Sequence, residues 1–212
     1  MFRRRFSFAL AACALMPMLQ GAATEGSEFI GDDVYVNCQY QLAANFSGEP
    51  KFRDIQYRDG NNNFPARQFY LDGENGTRLS VTVVHFANGP KRDPAIVERA
   101  SVMLRSKGKV AEEMNVWYDE PYLGGRQFHI TLPNGHLLRA SLYNVDHRLY
   151  ITEADADQND FRALLFSESI SLIKPDGTDQ DTNPVTLSSG APGTSAGLPV
   201  RRYDCSRINR VK

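Results

Sequence analysis

The sequence of 212 residues contains only three cysteines and one tryptophan, and after residue 23 its basic residues form no stripe. Proteins that bind nucleic-acid phosphates need grouped lysine and arginine side chains, so we expect no nucleic-acid partner. A phosphate-binding glycine loop and a G-x-S-x-G nucleophile motif are also missing. After residue 23, no apolar run is long enough to span a bilayer. We therefore expect no transmembrane anchor in the mature chain and no cofactor.

The first 23 residues have the layout of a secretory signal peptide. Arginines at 3–5 form a positive start, residues 6–19 are almost entirely apolar, and residues 21–23 are small. We expect cleavage after Ala23 and a periplasmic or secreted protein. Removal of this leader takes away three arginines and no acidic residue, so the net charge changes from −1 to −4.

Two other leaders remain open. Residues 10–13, Leu-Ala-Ala-Cys, match the pattern that precedes a lipid-modified cysteine in bacteria, which would make the chain a lipoprotein anchored through Cys13. The apolar run continues as far as Leu19, which argues against that cleavage site. The arginines also weakly resemble a twin-arginine signal, although a charged start explains them more simply.

Only two cysteines remain once the leader is removed. In an oxidising compartment Cys38 and Cys205 have a single possible pairing. Residues 34–42 alternate apolar and polar positions, so we predict a strand there with Cys38 on its buried face. A disulfide would tether the C-terminal tail to this strand; two separate thiols are the alternative.

The mature chain predicts an α+β fold in which helices pack on an antiparallel sheet in a single domain. The Asp93-Pro94 pair predicts a helix start, with Gly108 following its end. Asp157 or Asn159 is expected to cap a second helix. The predicted strands are 34–42, 51–58, 66–71, 78–87, 113–118, 127–132, 137–145 and 149–153, and the predicted helices are 94–107 and 160–167.

The composition changes near residue 174. Residues 174–200 are rich in Asp, Thr, Ser, Gly and Pro and have few large apolar side chains, which indicates a flexible linker. The expected organisation is therefore a signal peptide at 1–23, an α+β domain at 24–173, this linker, and a C-terminal tail at 201–212 tethered by the disulfide.

The stretch from Asn45 to Ile173, about two-thirds of the mature chain, contains a set of sequence landmarks. They are 45–50 (Asn-Phe-Ser-Gly-Glu-Pro), 64–67, 80–84, 125–128, 148–151, Phe166 and 169–170. These landmarks resemble those of a group of secreted bacterial proteins with a PsbP-like fold, to which the periplasmic protein DcrB is related, with Ser47 in place of the group's proline. The resemblance implies a PsbP-like α/β sandwich and a role in binding or assembly, and it implies no catalytic residue.

One aromatic cluster near a loop is a candidate surface for a ligand or partner. It consists of Trp117, Tyr118 and Tyr122, with Arg126 following a glycine pair. Aromatic rings beside an arginine can stack on a ligand or dock a protein. Core packing is the alternative explanation of the same residues.

The four histidines of the mature chain have no metal-binding spacing. His129 and His136 flank a hairpin turn and could approach each other, whereas His85 is expected to be packed on the apolar face of its strand. Residues 155–160 superficially resemble a calcium loop, but glycine and glutamate are missing where an EF-hand needs them. We expect helix capping from these acidic residues, and no metal site.

The function expected from the sequence is non-catalytic. We predict a monomeric accessory protein of the cell envelope that binds an envelope protein or a small ligand. The alternative is an envelope hydrolase, which would need two or more of His85, His129, His136 and Asp146 to meet a nucleophile in one pocket. A lipid-anchored form of the binding protein is a further alternative.

Overall fold

The computed structural model describes residues 27–30, 34–87, 93–118, 123–178 and 203–208. The predicted leader and its alternatives lie outside these residues. The described part is an α+β fold with a four-stranded and a seven-stranded antiparallel sheet. The strands are β1 Ser27–Ile30, β2 Val34–Asn37, β3 Leu42–Asn45, β4 Lys51–Asp59, β5 Asn62–Asp72, β6 Arg78–His85, β7 Lys109–Tyr118, β8 Leu123–Thr131, β9 Leu137–Val145, β10 Arg148–Ala156 and β11 Ser171–Leu172; the helices are α1 Pro94–Arg105, α2 Phe161–Glu168 and α3 Cys205–Ile208.

The large sheet has the strand order β4-β5-β6-β10-β9-β8-β7, and the small sheet has the order β1-β2-β3-β11. The two sheets refine the sequence expectation of one sheet, because β1, β3 and β11 have only two to four residues each and carry little periodic signal. Hairpin turns connect β4 to β5, β8 to β9, and β9 to β10, as antiparallel neighbours require.

Each face of the large sheet is covered by a different element. Helix α1 packs on one face, which we call the α1 face, through Ile96, Val97, Ala100 and Leu104. Helix α2 and the small sheet pack on the other, the α2 face, where the Phe46 and Phe166 rings lie 4.9 Å apart. These buried apolar side chains form the core, and those larger than alanine contribute about 1.5–3 kcal/mol each.

The predicted start of α1 is confirmed. Asp93 is the N-cap and accepts a hydrogen bond from the Ala95 amide, and Pro94 is the first helical residue. The predicted end at residue 107 is wrong, since the helix ends at Arg105. Gly108 is not a left-handed cap; a Cβ there would lie 2.2 Å from the Thr131 carbonyl oxygen, so close strand packing explains this glycine.

Two further predictions need correction. The second helix is capped by Asp160, whose carboxylate accepts from the Arg162 and Ala163 amides, and not by Asp157 or Asn159. The predicted strand 34–42 is two strands, because a turn separates β2 from β3. In that turn Asn37 Oδ1 accepts from the Tyr40 amide and Gln41 has φ 56°.

The disulfide prediction is confirmed. Cys38 and Cys205 have Cα atoms 5.7 Å apart and sulfurs at bonding distance. Both are buried with Val36, Ala43, Ile173 and Tyr203 on the outer side of the small sheet. Cys38 lies in the turn just after β2 and not within a strand. The start of the predicted linker, residues 174–178, forms a turn in which the Gly177 carbonyl accepts from the Tyr203 amide; the rest, 179–200, lies outside the described residues.

Candidate functional site

An open groove of about 370 Å³, lined by both polar and apolar residues, lies on the α2 face, where the small sheet ends and part of the large sheet is left uncovered. We call it the arginine–histidine groove. The residues that carry the argument are Tyr40, Asp54, Gln56, Arg67, His85 and Arg148.

Strand register brings these side chains onto one face. Asp54 on β4 lies opposite Arg67 on β5, which lies opposite Val83 on β6. Two residues along β6, His85 lies opposite Arg148 on β10. Because side chains two residues apart point to the same face of a strand, these polar residues extend the row that begins with buried Leu79 and Val81.

Arg67 is held in a fixed position. Its Nε and Nη2 donate to the two carboxylate oxygens of Asp54 at 2.7 and 2.8 Å. The guanidinium also lies over the rings of Tyr40 and Phe52, at 5.2 and 4.8 Å from their centroids. The hydrogen bonds from Arg67 lower the pKa of the Asp54 carboxyl below its usual range. Stacking and the paired hydrogen bonds together order this long side chain.

Arg148 has a different kind of partner. Its Nη1 donates to the side-chain oxygen of Gln41 at 2.7 Å, and within the described part of the chain it forms no ion pair with a carboxylate. His85 beside it is exposed, and its ring forms no hydrogen bond to another described residue. The expectation that His85 is packed among apolar residues is therefore wrong. His85 lies just beyond the part of the α2 face that the small sheet and α2 cover.

The turn between β2 and β3 forms one wall of the groove. The buried hydroxyl of Tyr150 donates to the Tyr40 carbonyl at 3.0 Å, and burial raises the pKa of Tyr150. The amide of Ile173 donates to the Gln41 carbonyl at 3.0 Å, and Cys38, within the same turn, forms the disulfide. The wall is thus fixed from three sides, and the groove is preorganised.

A second, smaller pocket of about 170 Å³ lies on the α1 face, beyond the C-terminal end of α1. We call it the charge-paired pocket. Lys107 pairs with Glu153, Arg53 donates to Gln68, and Arg78 pairs with Asp72 at 2.8 Å. Its principal lining residues are Arg53, Gln68, Arg78, Lys107, Glu153 and Asp155.

The predicted aromatic surface does not lie at the arginine–histidine groove, and the structure describes only part of it. In the edge ladder of β7 and β8, Trp117 pairs with Gly124 and Tyr118 with Leu123. Arg126 is engaged by two acidic side chains, with Nη1 at 2.6 Å from a Glu98 oxygen and 3.1 Å from a Glu113 oxygen. The described geometry does not connect Arg126 to the arginine–histidine groove. Tyr122 lies outside the described residues.

The remaining histidines do not converge. His129 lies opposite Arg139, not His136, and its Nδ1 is 2.9 Å from Glu112. His136 Nδ1 is 2.8 Å from Asp155. Of the residues proposed for a hydrolase site, only His85 lines the arginine–histidine groove, and Asp146 lies in the β9–β10 turn.

The acidic segment 155–160 serves local structure. Asp160 caps α2 and accepts a hydrogen bond from the Thr77 hydroxyl at 2.7 Å, and Asp155 pairs with His136. Burial raises the pKa of Asp160, but hydrogen bonds from Thr77 and from the amides of Ala163 and Arg162 outweigh that and lower it. Among the described residues, no three His, Cys, Asp or Glu side chains are grouped as a metal site would require.

The sequence contained part of the signal for the groove. The alternation along β6 already placed His85 on the face of Leu79 and Val81. It could not reveal Arg67 or Arg148 as neighbours of His85, since the order of β5, β6 and β10 in the sheet is a tertiary property.

Neither a protein-family model nor a curated protein matches the chain. No helix in the described part of the chain has the length and apolar character that a membrane crossing requires.

Proposed function

We propose that this chain is an exported, non-catalytic binding or accessory protein of the cell envelope, and that its ligand or partner binds in the arginine–histidine groove. The observation that carries the proposal is the preorganised lining. Arg67 and the Tyr40 turn are fixed by protein contacts, while Arg148, His85 and Gln56 present hydrogen-bonding groups to an open groove. In ligand sites, a small number of fixed polar groups sets the orientation of the ligand.

The disulfide supports export, because such bonds persist mainly in oxidising compartments. Mass spectrometry of the protein purified from its host tests this part. A mature chain that begins at Thr24 is expected. An acylated N-terminus at Cys13 would replace the secreted form with the lipid-anchored one. A chain that keeps residues 1–23 in the cytoplasm would contradict export.

Membership of the PsbP-like group is also part of the proposal. Its support is the α+β architecture and the positions of the landmarks, such as the 45–50 turn between β3 and β4 and the 148–151 segment at the start of β10. Superposition on an experimental PsbP structure tests it. A different strand order in the large sheet would contradict the assignment.

Site-specific crosslinking tests the groove. A photoreactive residue at the exposed groove position Gln56 should trap a partner or small molecule in cells. The same residue at Val102, on the exposed side of α1, is the control. A product specific to position 56 is expected. Equal products at both positions, or none at either, would contradict binding in the groove.

A further inference from the structure

The arginine–histidine groove has an excess of positive charge on a chain whose net charge is −1. Arg67 and Arg148 contribute two positive charges to its lining, and Asp54 contributes one negative charge. The other lining groups named above are uncharged when His85 is neutral. The groove therefore differs in sign from the protein as a whole.

Among the described residues, Arg148 is the groove arginine that has no carboxylate partner. A guanidinium carries five N–H donors, and Nη1 of this one is bonded to the Gln41 amide oxygen. An amide oxygen fixes the position of a guanidinium without neutralising it. The neighbouring His85 supplies a further ring nitrogen on the same face, one strand away. This pair is suited to an oxyanion with two or more oxygens.

Asp54 occupies the place of such an oxyanion on Arg67. Its carboxylate makes the paired hydrogen bonds that a ligand carboxylate would make. Its side chain is 70% exposed, whereas that of Arg67 is 21% exposed. The arginine is thus fixed, and the carboxylate is free to turn toward solvent, so Asp54 can compete with a ligand for Arg67.

We propose that the groove binds its ligand through a carboxylate or phosphate group, which Arg148 and His85 hold directly and for which Asp54 is an internal competitor. This inference rests on the proposed function, because it names the ligand chemistry of the same groove. It assigns Arg148 as the main binding residue and Asp54 as a residue that weakens binding.

Nuclear magnetic resonance titration of the full mature chain tests the inference. The probes are inorganic phosphate, succinate and the neutral analogue succinamide, followed at the amides of Arg67, His85 and Arg148. Single small anions should bind with dissociation constants of about 1 mM. Succinamide should bind at least about tenfold more weakly, because it lacks the charge. The tighter of phosphate and succinate identifies the natural head group.

Two substitutions and two matched controls locate the interaction. Arg148→Gln should weaken anion binding about tenfold or more, the loss expected for a charge-assisted hydrogen bond. Asp54→Asn should strengthen it about threefold, in keeping with an exposed ion pair. Arg53→Gln and Asp72→Asn remove the same charges from the α1 face, at the charge-paired pocket, and should change the affinity less than twofold.

The outcomes separate this inference from the proposed function. Equal affinity of Arg148→Gln and the unchanged protein would overturn the anion assignment, as would succinamide binding as tightly as succinate. In either case a crosslink specific to position 56 would leave groove binding in place. Failure of all three probes together with absence of that crosslink would overturn both.

Discussion

The arginine–histidine groove and the charge-paired pocket lie on opposite faces of the large sheet and near opposite ends of β6. Helix α1 covers the α1 face beside Val84 and Phe86, and the small sheet with α2 covers the α2 face beside Leu79 and Val81. The two covered regions thus lie on opposite faces and toward opposite ends of β6. Each leaves a polar region of the sheet uncovered, which we call a corner. His85 lies at one corner and Arg78 at the other.

The two corners differ in how their charges are satisfied. In the pocket Lys107 pairs with Glu153, and Arg78 pairs with Asp72. In the groove Arg148 has no carboxylate partner among the described residues, and its side-chain partners, Gln41 and the Tyr150 hydroxyl, are neutral. The paired charges of the pocket are what a solvated surface ordinarily has, so they require no ligand. An arginine without a carboxylate partner in a preorganised groove is not explained in this way. A candidate site is therefore distinguished by whether its charged groups have partners of opposite charge, and not by how many charges it contains.

The largest loss of stability is expected from removal of the disulfide. This bond supports a wall of the groove but not the charge-paired pocket. Replacing Cys38 and Cys205 by serine should lower the free energy of unfolding by about 2–5 kcal/mol, because the bond closes a very long loop. Chemical denaturation measures this loss. Hydrogen exchange should accelerate at the amides of the Tyr40 turn and stay unchanged at Ser80, in the pocket.

A reductant supplies the control for this variant. It should destabilise the unchanged protein by a similar amount and leave the double serine variant unaffected. Equal acceleration of exchange at both corners would contradict a local role for the bond.

The next largest loss of stability is expected at helix α2, which covers part of the α2 face. Asp160→Ala removes the N-cap of α2 and its bond from Thr77, which should cost about 1–2 kcal/mol at neutral pH. Because the pKa of Asp160 is lowered in the folded state, this stabilisation is present above the usual value of 3.8 and is lost as the pH falls through the lowered pKa. Denaturation at several pH values measures it.

Asparagine at the same position separates capping from charge. Asp160→Asn retains an acceptor for the amides, so it should cost less than alanine, and its stability should not depend on titration at this position. A stability difference between wild type and Asp160→Ala that is unchanged from pH 7 to below the lowered pKa would contradict the assignment. Groove amides should keep their exchange rates in both variants.

A smaller effect is expected from the hydroxyl that supports the groove wall. Tyr150→Phe removes the buried donor to the Tyr40 carbonyl and should cost about 1 kcal/mol in urea denaturation. Tyr70→Phe is the control, because that ring contacts Arg53 through its face, on the pocket side, and should change stability by less than about 0.5 kcal/mol. Equal losses in both variants would remove the distinction between the two corners.

Most of the regular structure was predictable because its signals are local. The residues of β9 match the predicted strand 137–145, and the Asp93-Pro94 pair marked the start of α1. The β2–β3 turn was missed because Asn37 and Gln41 form it without glycine or proline, while the apolar alternation continues across it. Sequence reasoning also misread Gly108, whose requirement comes from the backbone of a distant strand.

The candidate site was less predictable than the fold. The disulfide followed from counting cysteines, but the groove depends on where the small sheet stops covering the large one. That boundary is set by packing between elements distant in sequence, such as Tyr35 against Phe69. The local aromatic signal around Arg126 instead pointed to the opposite edge of the sheet, where Glu98 and Glu113 already pair with the arginine.

The smallest effect is expected in the charge-paired pocket. Glu153→Gln removes the partner of Lys107, yet both side chains reach solvent, so the loss of stability should be below about 1 kcal/mol and should shrink further at 1 M salt. Urea denaturation at low and high salt measures it. Anion binding in the groove should be unchanged, since the two corners lie on opposite faces. A gain in groove affinity comparable to that of Asp54→Asn would mean that net charge, and not the local pairing of Arg67 and Arg148, controls the site.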